Sequence, residues 1–307
     1  MQVFDSANSK IFRSTAVALG NFDGLHLGHM ALVSALSAKA AENGLASLAY
    51  TFGEHPQNVL SAGRRVSLLM NNEQKCDILR GTAIDGVYFE RFDLDYARIE
   101  PEEFARRVLV GKLRARLVAA GFNYRFGREN HGTAESLEEY GAKHGFGVLI
   151  VKPYRVGGQC ASSSLIREMV AAGDVQGAAR FLGRLFSVRG VVREGFRIGR
   201  TIGVPTANIG YGADVLAPGQ GVYATACKVG GRLYRGLTSI GKNPTAGPRD
   251  GIAMETFLFG FRGDIYGAEA EVYFYKKIRD IHKFSDMGAL KSQIERDIGT
   301  ADGYFSG

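Results

Sequence analysis

The apolar residues of this chain follow two different periods, and the change from one to the other lies near residue 183. Before it, short apolar runs alternate with stretches of helical spacing, which predicts strands alternating with helices. After it, segments rich in Val, Tyr, Phe and Thr follow one another with turns between them, which predicts strands without intervening helices. One architecture cannot satisfy both patterns. We therefore predict two domains, residues 1–183 and residues 184–307.

The first half is predicted to be an α/β domain. Strands are expected over residues 15–19, 45–52, 86–89, 117–121 and 147–152, and helices over 29–41, 73–79, 101–113, 133–143, 164–172 and 175–182. Strands that alternate with helices of this length form a parallel sheet with helices on both faces. Ligands of such sheets bind at the carboxyl ends of the strands.

The second half is predicted to be an antiparallel barrel or sandwich. Gly230 and Gly231 separate two strand-like segments, residues 221–229 and 232–240, which is a strong hairpin signal, and Arg262–Asp264 separates two more, residues 254–261 and 268–278. A helix over residues 286–298 is expected to follow the last strand. The alternation of Val, Tyr, Phe and Thr is typical of strands that close into one core.

Composition limits the classes of function. The chain is 45% hydrophobic and 22% charged, as in soluble globular proteins, and it contains neither a membrane-length apolar run nor a secretory signal. The three cysteines are scattered, so a cytoplasmic protein with reduced thiols is expected. The net charge of +7 is spread along the chain, which favours small anionic substrates such as nucleotides over nucleic acid.

A glycine-rich segment follows the first predicted strand and opens the first helix. It contains Gly20, Asn21, Phe22, Asp23, Gly24, His26, Gly28 and His29. Backbone N–H groups of such a turn can approach a phosphate, and the helix N-terminus adds partial positive charge. His26 and His29 can face one side of the turn and donate hydrogen bonds to phosphate oxygens, while Gly28 leaves room for a nucleotide. This predicts stabilisation of an α-phosphate under attack; the alternative is a pair of surface or metal-binding histidines.

The segment resembles the HxGH nucleotidyltransferase superfamily, which has a Rossmann-like fold, and within it the FMN adenylyltransferase branch. Residues 121–127 and residues 162–167 are similar to two further segments of that branch. The resemblance implies that ATP and flavin are held by residues of these segments, namely Asn123, Ser163, Ser164 and Arg167, and that no covalent intermediate forms. For the serines, helix capping is the alternative.

A second glycine-rich run, residues 195–208, lies in the β half. Thr206 and Asn208 are two positions apart, so in an extended segment they face the same way. Their oxygens can bind Mg²⁺ when ATP phosphates supply the remaining ligands. The run resembles the riboflavin kinase signature, which implies nucleotide and flavin contacts from Gly195, Gly199, Arg200 and Gly203.

The kinase resemblance extends further along this half. It implies that Glu255 is the general base for the ribityl hydroxyl and that Arg279 lies near the flavin. For Glu255, the alternative is an exposed strand carboxylate paired with a lysine. Phe257 and Gly260 stand where the kinase family has histidine and aspartate, and Glu54 stands where the adenylyltransferase family has proline.

Both resemblances together cover nearly the whole chain. They imply a bifunctional enzyme that phosphorylates riboflavin to FMN and adenylylates FMN to FAD, releasing pyrophosphate, with Mg²⁺ as cofactor and ATP, riboflavin and FMN as its small-molecule partners. Neither nucleic acid nor a membrane is expected as a partner, and the oligomeric state stays open. Two alternatives remain: a chain in which only the adenylyltransferase half is active, and a flavin-binding regulator that catalyses nothing.

Overall fold

The computed structural model describes residues 1–6, 11, 13–60, 65–194, 206–242 and 252–306. The chain divides into two compact units. The first contains Met1–Leu68 and Asn72–Ser162, and the second contains Leu69–Asn71 and Ser163–Gly307. The helices that precede the barrel thus belong to the second unit.

The first unit is built on a six-stranded sheet with the spatial order β1-β4-β3-β2-β5-β6. Its strands are β1 Gln2–Asp5, β2 Thr15–Leu19, β3 Ala46–Phe52, β4 Gly86–Glu90, β5 Ala115–Gly121 and β6 Gly147–Val151. All neighbours in this sheet are parallel, and β2 is buried along its whole length, as expected for a central strand. The strand order reverses between β2 and β5, and ligands of parallel sheets bind at such a switch point.

The helices of the first unit connect these strands. They are α1 Leu27–Glu42, α2 Pro56–Leu60, α3 Asn72–Arg80, α4 Pro101–Glu103, which continues into a π-helix over Phe104–Lys112, and α5 Ala134–His144, and a small hairpin of β7 Arg155–Val156 and β8 Gln159–Cys160 follows. The helix predicted over residues 101–113 is present, and after its first turn it is π-helical. The wider π-helical turns let Phe104, Val108 and Leu109 all enter the core, so packing outweighs the local preference for the α-helix.

The second unit contains a closed antiparallel barrel with the order β10-β13-β12-β11-β14-β9. Its elements are α6 Ser163–Ala172, α7 Val175–Leu182, β9 Phe186–Arg193, β10 Thr206–Tyr211, β11 Gly221–Val229, β12 Arg232–Lys242, β13 Ile252–Leu258, β14 Glu269–Arg279 and α8 Met287–Ser306. A barrel was one of the two predicted architectures. Together with the parallel sheet of the first unit, it confirms the predicted fold class.

A chain of hydroxyls crosses the barrel interior. Thr225, Thr238 and Thr256 come from β11, β12 and β13 and are fully buried. Their Oγ1 atoms are joined by two hydrogen bonds of 2.9 Å each. Because side chains alternate along a strand, the inward direction of Thr256 places Glu255 on the outer face of β13. The buried hydroxyls therefore fix which side of this strand carries the predicted base.

The last helix is longer than predicted. Gly299 and Gly303 weaken the helical pattern after residue 298, yet α8 continues to Ser306. Phe305 and Ile298 pack against the barrel beside Val222, Ala224 and Leu237, and this burial offsets the cost of the glycines.

Among the described residues, no helix has the length and apolar character needed to cross a bilayer. Cys76, Cys160 and Cys227 are free thiols.

Candidate functional site

The first predicted site forms where β2 ends and α1 begins. This junction contains an unusual backbone: Phe22 and Leu25 have φ values of 48° and 38°, and Gly24 between them has 79°. Positive φ is costly for residues with a side chain and persists where the surroundings enforce it. The turn therefore holds a fixed shape at the carboxyl end of the central strand.

The two histidines of this turn lie face to face. Their ring centroids are 3.7 Å apart, with 20° between the ring planes. His26 caps α1, and its Nδ1 accepts a hydrogen bond from the backbone N–H of His29 at 3.3 Å. Because Nδ1 is the acceptor, the neutral His26 ring carries its proton on Nε2. The Nε2–H group of His26 can thus donate a hydrogen bond to a phosphate oxygen.

Two glycines allow this packing. A Cβ atom at Gly28 would lie 3.1 Å from the His26 ring, and one at Gly20 would lie 3.2 Å from the Phe22 ring. Phe22 in turn meets the His29 ring edge-on, with centroids 5.3 Å apart. Gly28 was predicted to leave room for a nucleotide, and in the structure it also accommodates the imidazole of His26.

A lysine that sequence reasoning missed lies under the same turn. Lys75 on α3 donates to the Asn21 carbonyl oxygen at 3.0 Å and lies 3.4 Å from Thr51 Oγ1. Its side chain is buried, and this burial lowers the pKa of Lys75 from 10.5 to about 8, although the negative charge of Asp23 acts in the opposite direction. No sequence pattern distinguishes this lysine from the charged residues around it, because its burial depends on tertiary contacts.

Asn123 lies at the same edge of the sheet as the glycine turn. It follows β5, the parallel neighbour of β2, in a turn closed by a hydrogen bond of 2.9 Å from Tyr124 N–H to the Gly121 carbonyl oxygen. Asn123 itself is exposed. The structure thus brings Asn123 and the turn that contains His26 and His29, called the HxGH turn below, to the switch point between β2 and β5.

Buried aromatic rings of the first unit pack together near this edge of the sheet. Phe126 packs on Tyr124 and on Phe104, with centroid distances of 5.8 and 5.3 Å. Nearby, the Tyr50 hydroxyl donates to the buried carboxylate of Glu90, and burial raises the pKa of Tyr50 well above its ordinary value. These rings belong to the buried core of the first unit, which supports this edge of the sheet.

Ser163, Ser164 and Arg167 lie on the first turns of α6, in the second unit. Ser163 begins the helix, Ser164 is exposed, and Arg167 is half-buried. The helix therefore presents two hydroxyls at its N-terminal end and a guanidinium one turn later.

The kinase residues come together on the barrel. Asn208 of β10 is the direct cross-strand partner of Glu255 in β13. The neighbours Ala207 and Met254 are buried, so Asn208 and Glu255 share the opposite face of the sheet, and Thr206 follows on that face by strand alternation. Burial raises the pKa of Glu255 above its ordinary 4.5.

The two departures from the kinase pattern have local explanations. Phe257 is the cross-strand partner of Thr206 and packs against Phe259, with ring centroids 5.6 Å apart. Gly260 has a φ of 67° in the turn after β13, and a Cβ atom there would have no neighbour within 4 Å. The turn needs a residue in the left-handed conformation. Glycine adopts this conformation without strain, and aspartate tolerates it better than most residues do.

Arg279 is bound by the last helix. Its Nε and Nη2 atoms donate to the Asp297 carboxylate at 2.9 and 2.7 Å, and Asp297 is only 4% exposed. Sequence reasoning missed this pair because the two residues lie on different elements. Gly195, Gly199, Arg200 and Gly203 fall outside the described residues.

A protein-only metal cluster is not seen in the described ranges, where no three His, Cys, Asp or Glu side chains converge. The oxygens of Thr206 and Asn208, beside the Glu255 carboxylate, instead form the sparse hard-donor set that suits Mg²⁺ bound together with ATP phosphates.

Two protein-family models match this chain, one in each half. Residues 8–165 match the family model described as FAD synthetase, and residues 182–305 match that of riboflavin kinase. A bifunctional riboflavin kinase/FMN adenylyltransferase from Listeria monocytogenes is 35% identical over 94% of this chain and 92% of its own length. A protein of the same description from Escherichia coli is 33% identical over 94% of this chain and 92% of its own length.

A solved structure is similar along nearly the whole chain. It is the crystal structure of a protein from Streptococcus pneumoniae described as a macrolide-efflux protein, with 29% sequence identity and a TM-score of 0.87 over 98% of this chain and 99% of that one. The agreement extends the shared architecture over both units. With two family models in order and relatives aligned over both halves, the chain belongs to the family of bifunctional riboflavin kinase/FMN adenylyltransferases.

Proposed function

We propose that this protein makes FAD in two steps, phosphorylation of riboflavin to FMN and adenylylation of FMN, each with ATP. The observation that carries the proposal is the pair of residue clusters. One unit holds stacked imidazoles at a parallel-sheet switch point, and the other holds an amide beside a half-buried carboxylate on the outer face of a barrel strand. Each cluster lies in the part of the chain that matches the corresponding enzyme family.

Adenylylation is proposed to occur at the HxGH turn. A phosphate oxygen of FMN attacks the α-phosphorus of ATP, and pyrophosphate leaves from the opposite side. His26, through Nε2, and His29 donate to the α-phosphate oxygens as charge develops on them. The remaining residues assigned to ATP and FMN are Gly20, Asn21, Phe22, Asp23, Gly28, Asn123, Ser163, Ser164 and Arg167.

Phosphorylation is proposed to occur at the barrel. The Glu255 carboxylate accepts the proton of the ribityl hydroxyl as its oxygen attacks the γ-phosphorus of a second ATP. Thr206 and Asn208 would hold Mg²⁺, which when bound neutralises charge on the phosphates. Gly195, Gly199, Arg200 and Gly203 are assigned to the nucleotide and Arg279 to the flavin.

We propose that the adenylyltransferase domain ends at residue 183 and that the kinase domain begins at residue 184. On this division α6 and α7 belong to the adenylyltransferase domain, although by their packing they belong to the second unit. A cytoplasmic location completes the proposal, since free thiols and the use of ATP suit that compartment.

Crossed variants test the proposal. His29→Ala is expected to lose FAD formation from FMN and to keep FMN formation from riboflavin, whereas Glu255→Gln is expected to do the reverse. Activities that fall together in both variants would refute two separate sites. A wild-type protein that binds flavin and converts neither substrate would favour the regulator instead.

A further inference from the structure

We propose that Lys75 is a positioning residue for adenylyl transfer, because its buried ammonium group donates a hydrogen bond to the backbone of the HxGH turn and places a positive charge beside that turn. The inference rests on the proposed adenylylation at that turn. It assigns a role to a residue that lies outside both signature motifs.

The contacts of Lys75 tie α3 to the turn. Its Nζ donates to the Asn21 carbonyl oxygen at 3.0 Å, at the start of the segment in which Phe22 and Leu25 have positive φ. The side chain is 6% exposed, so the ammonium group cannot turn toward solvent without moving the helix. Lys75 therefore fixes the position of the backbone whose N–H groups and histidines are proposed to meet the phosphates.

A structural role alone does not require a charge at this place. The hydroxyl of Thr51 already donates to the same Asn21 carbonyl oxygen, at 2.9 Å. An ammonium group is among the most costly groups to bury, because it loses its hydration. This charge lies beside the turn that is proposed to bind phosphate. Its retention at such a cost indicates that it stabilises the anionic substrates and the charge that develops during adenylyl transfer.

The surroundings of Lys75 set its response to pH. Asp23 from the turn and the Cys76 thiol from α3 are the titratable groups that act on it, while β3 and β4 contribute the Thr51 hydroxyl and the Phe89 ring. Burial outweighs the two acidic groups and lowers the pKa of Lys75 to about 8. The charge is therefore present at neutral pH and lost as the pH rises through about 8.

The test uses the full-length protein, with FAD formation from FMN and ATP followed from pH 6 to pH 9.5. For the wild type, kcat is expected to fall above about pH 8. Lys75→Met removes the charge and is expected to lower kcat at pH 7 by about 10- to 100-fold, with a smaller change in KM for FMN and no alkaline fall. Lys75→Arg keeps a charge at all these pH values, so it is expected to recover part of the rate and to move the alkaline fall beyond pH 9.5.

Lys39→Met is the matched control, because Lys39 lies on α1 with its side chain 53% exposed. It is expected to leave rate and pH profile unchanged, and riboflavin phosphorylation serves as an internal control in every variant. A Lys75→Met protein with wild-type kcat and pH profile would overturn the inference, as would equal losses of both activities. If that variant does not fold, a wild-type kcat that stays flat from pH 7 to pH 9 overturns it. A wild type that forms FMN but no FAD refutes the proposed adenylylation itself.

Discussion

Replacement of Glu255 by glutamine isolates the proposed chemistry of the barrel. Glu255 lies on the outer face of β13, directly across from Asn208. Thr256, the next residue, is hydrogen-bonded to Thr238 inside the barrel. Glutamine keeps the size and the hydrogen-bonding capacity of the side chain. The substitution therefore removes a proton acceptor and leaves the strand in place.

Glu255→Gln is expected to lower the rate of riboflavin phosphorylation strongly and to leave the stability of the fold unreduced. Loss of a general base lowers a rate by about 10²–10⁴, and this range applies to FMN formation from riboflavin. Burial raises the pKa of Glu255 and thus disfavours the ionised form, so the contribution of this group to stability is lost as the pH rises through its folded-state pKa. Glu255→Gln is thus expected to unfold at the wild-type temperature or above it.

The assay follows FMN formation at saturating ATP, with Glu269→Gln as the control. Glu269 is a strand carboxylate on β14 whose side chain is 64% exposed, and its replacement is expected to be neutral. In the wild type, the ionised carboxylate is the active form. The rate therefore declines as the pH falls through the pKa of Glu255, at a higher pH than for an exposed glutamate. Phosphorylation by Glu255→Gln at the wild-type rate would show that Glu255 is structural.

Three further predictions concern the other site, the domain limits and the last helix. His29→Ala is expected to lower FAD formation from FMN by about 10²–10³, the usual loss for one oxyanion donor, and unchanged adenylylation would contradict the role of the imidazole pair. A fragment of residues 163–307 is expected to unfold at a higher temperature than one of residues 185–307, because only the longer one keeps α6 and α7 with the buried Phe181 and Leu182; equal unfolding temperatures would show that these helices add nothing to the barrel. Asp297→Ala leaves the guanidinium of Arg279 without its carboxylate and is expected to lower the free energy of unfolding by about 3–5 kcal/mol in denaturant titration, whereas the exposed Glu295→Ala is expected to change little.

The sequence predicted the elements whose local signals are strong. The strands Thr15–Leu19 and Gly221–Val229 have the predicted bounds, the first because its apolar run is uninterrupted and the second because the glycine pair that follows it ends the strand. The histidine pair was likewise predictable, since its spacing and its glycines belong to one short segment.

Features that depend on distant contacts could not be predicted in this way. The first strand, Gln2–Asp5, is recognisable only through its pairing with Gly86–Glu90, about 80 residues along the chain. The burial of Lys75 also depends on neighbours from other elements, and so does the ion pair between Arg279 and Asp297 of the last helix. The π-helix has no local sequence signature either, because packing selects it.

The central claim is tested most directly by incubating the purified protein with riboflavin, ATP and Mg²⁺ and separating the flavins by chromatography over time. The account predicts that FMN appears first and FAD accumulates after it, and that FAD also forms when FMN is supplied alone. Accumulation of neither product from riboflavin would contradict two active sites in one chain, and FAD from supplied FMN without any FMN from riboflavin would confine the activity to the first unit.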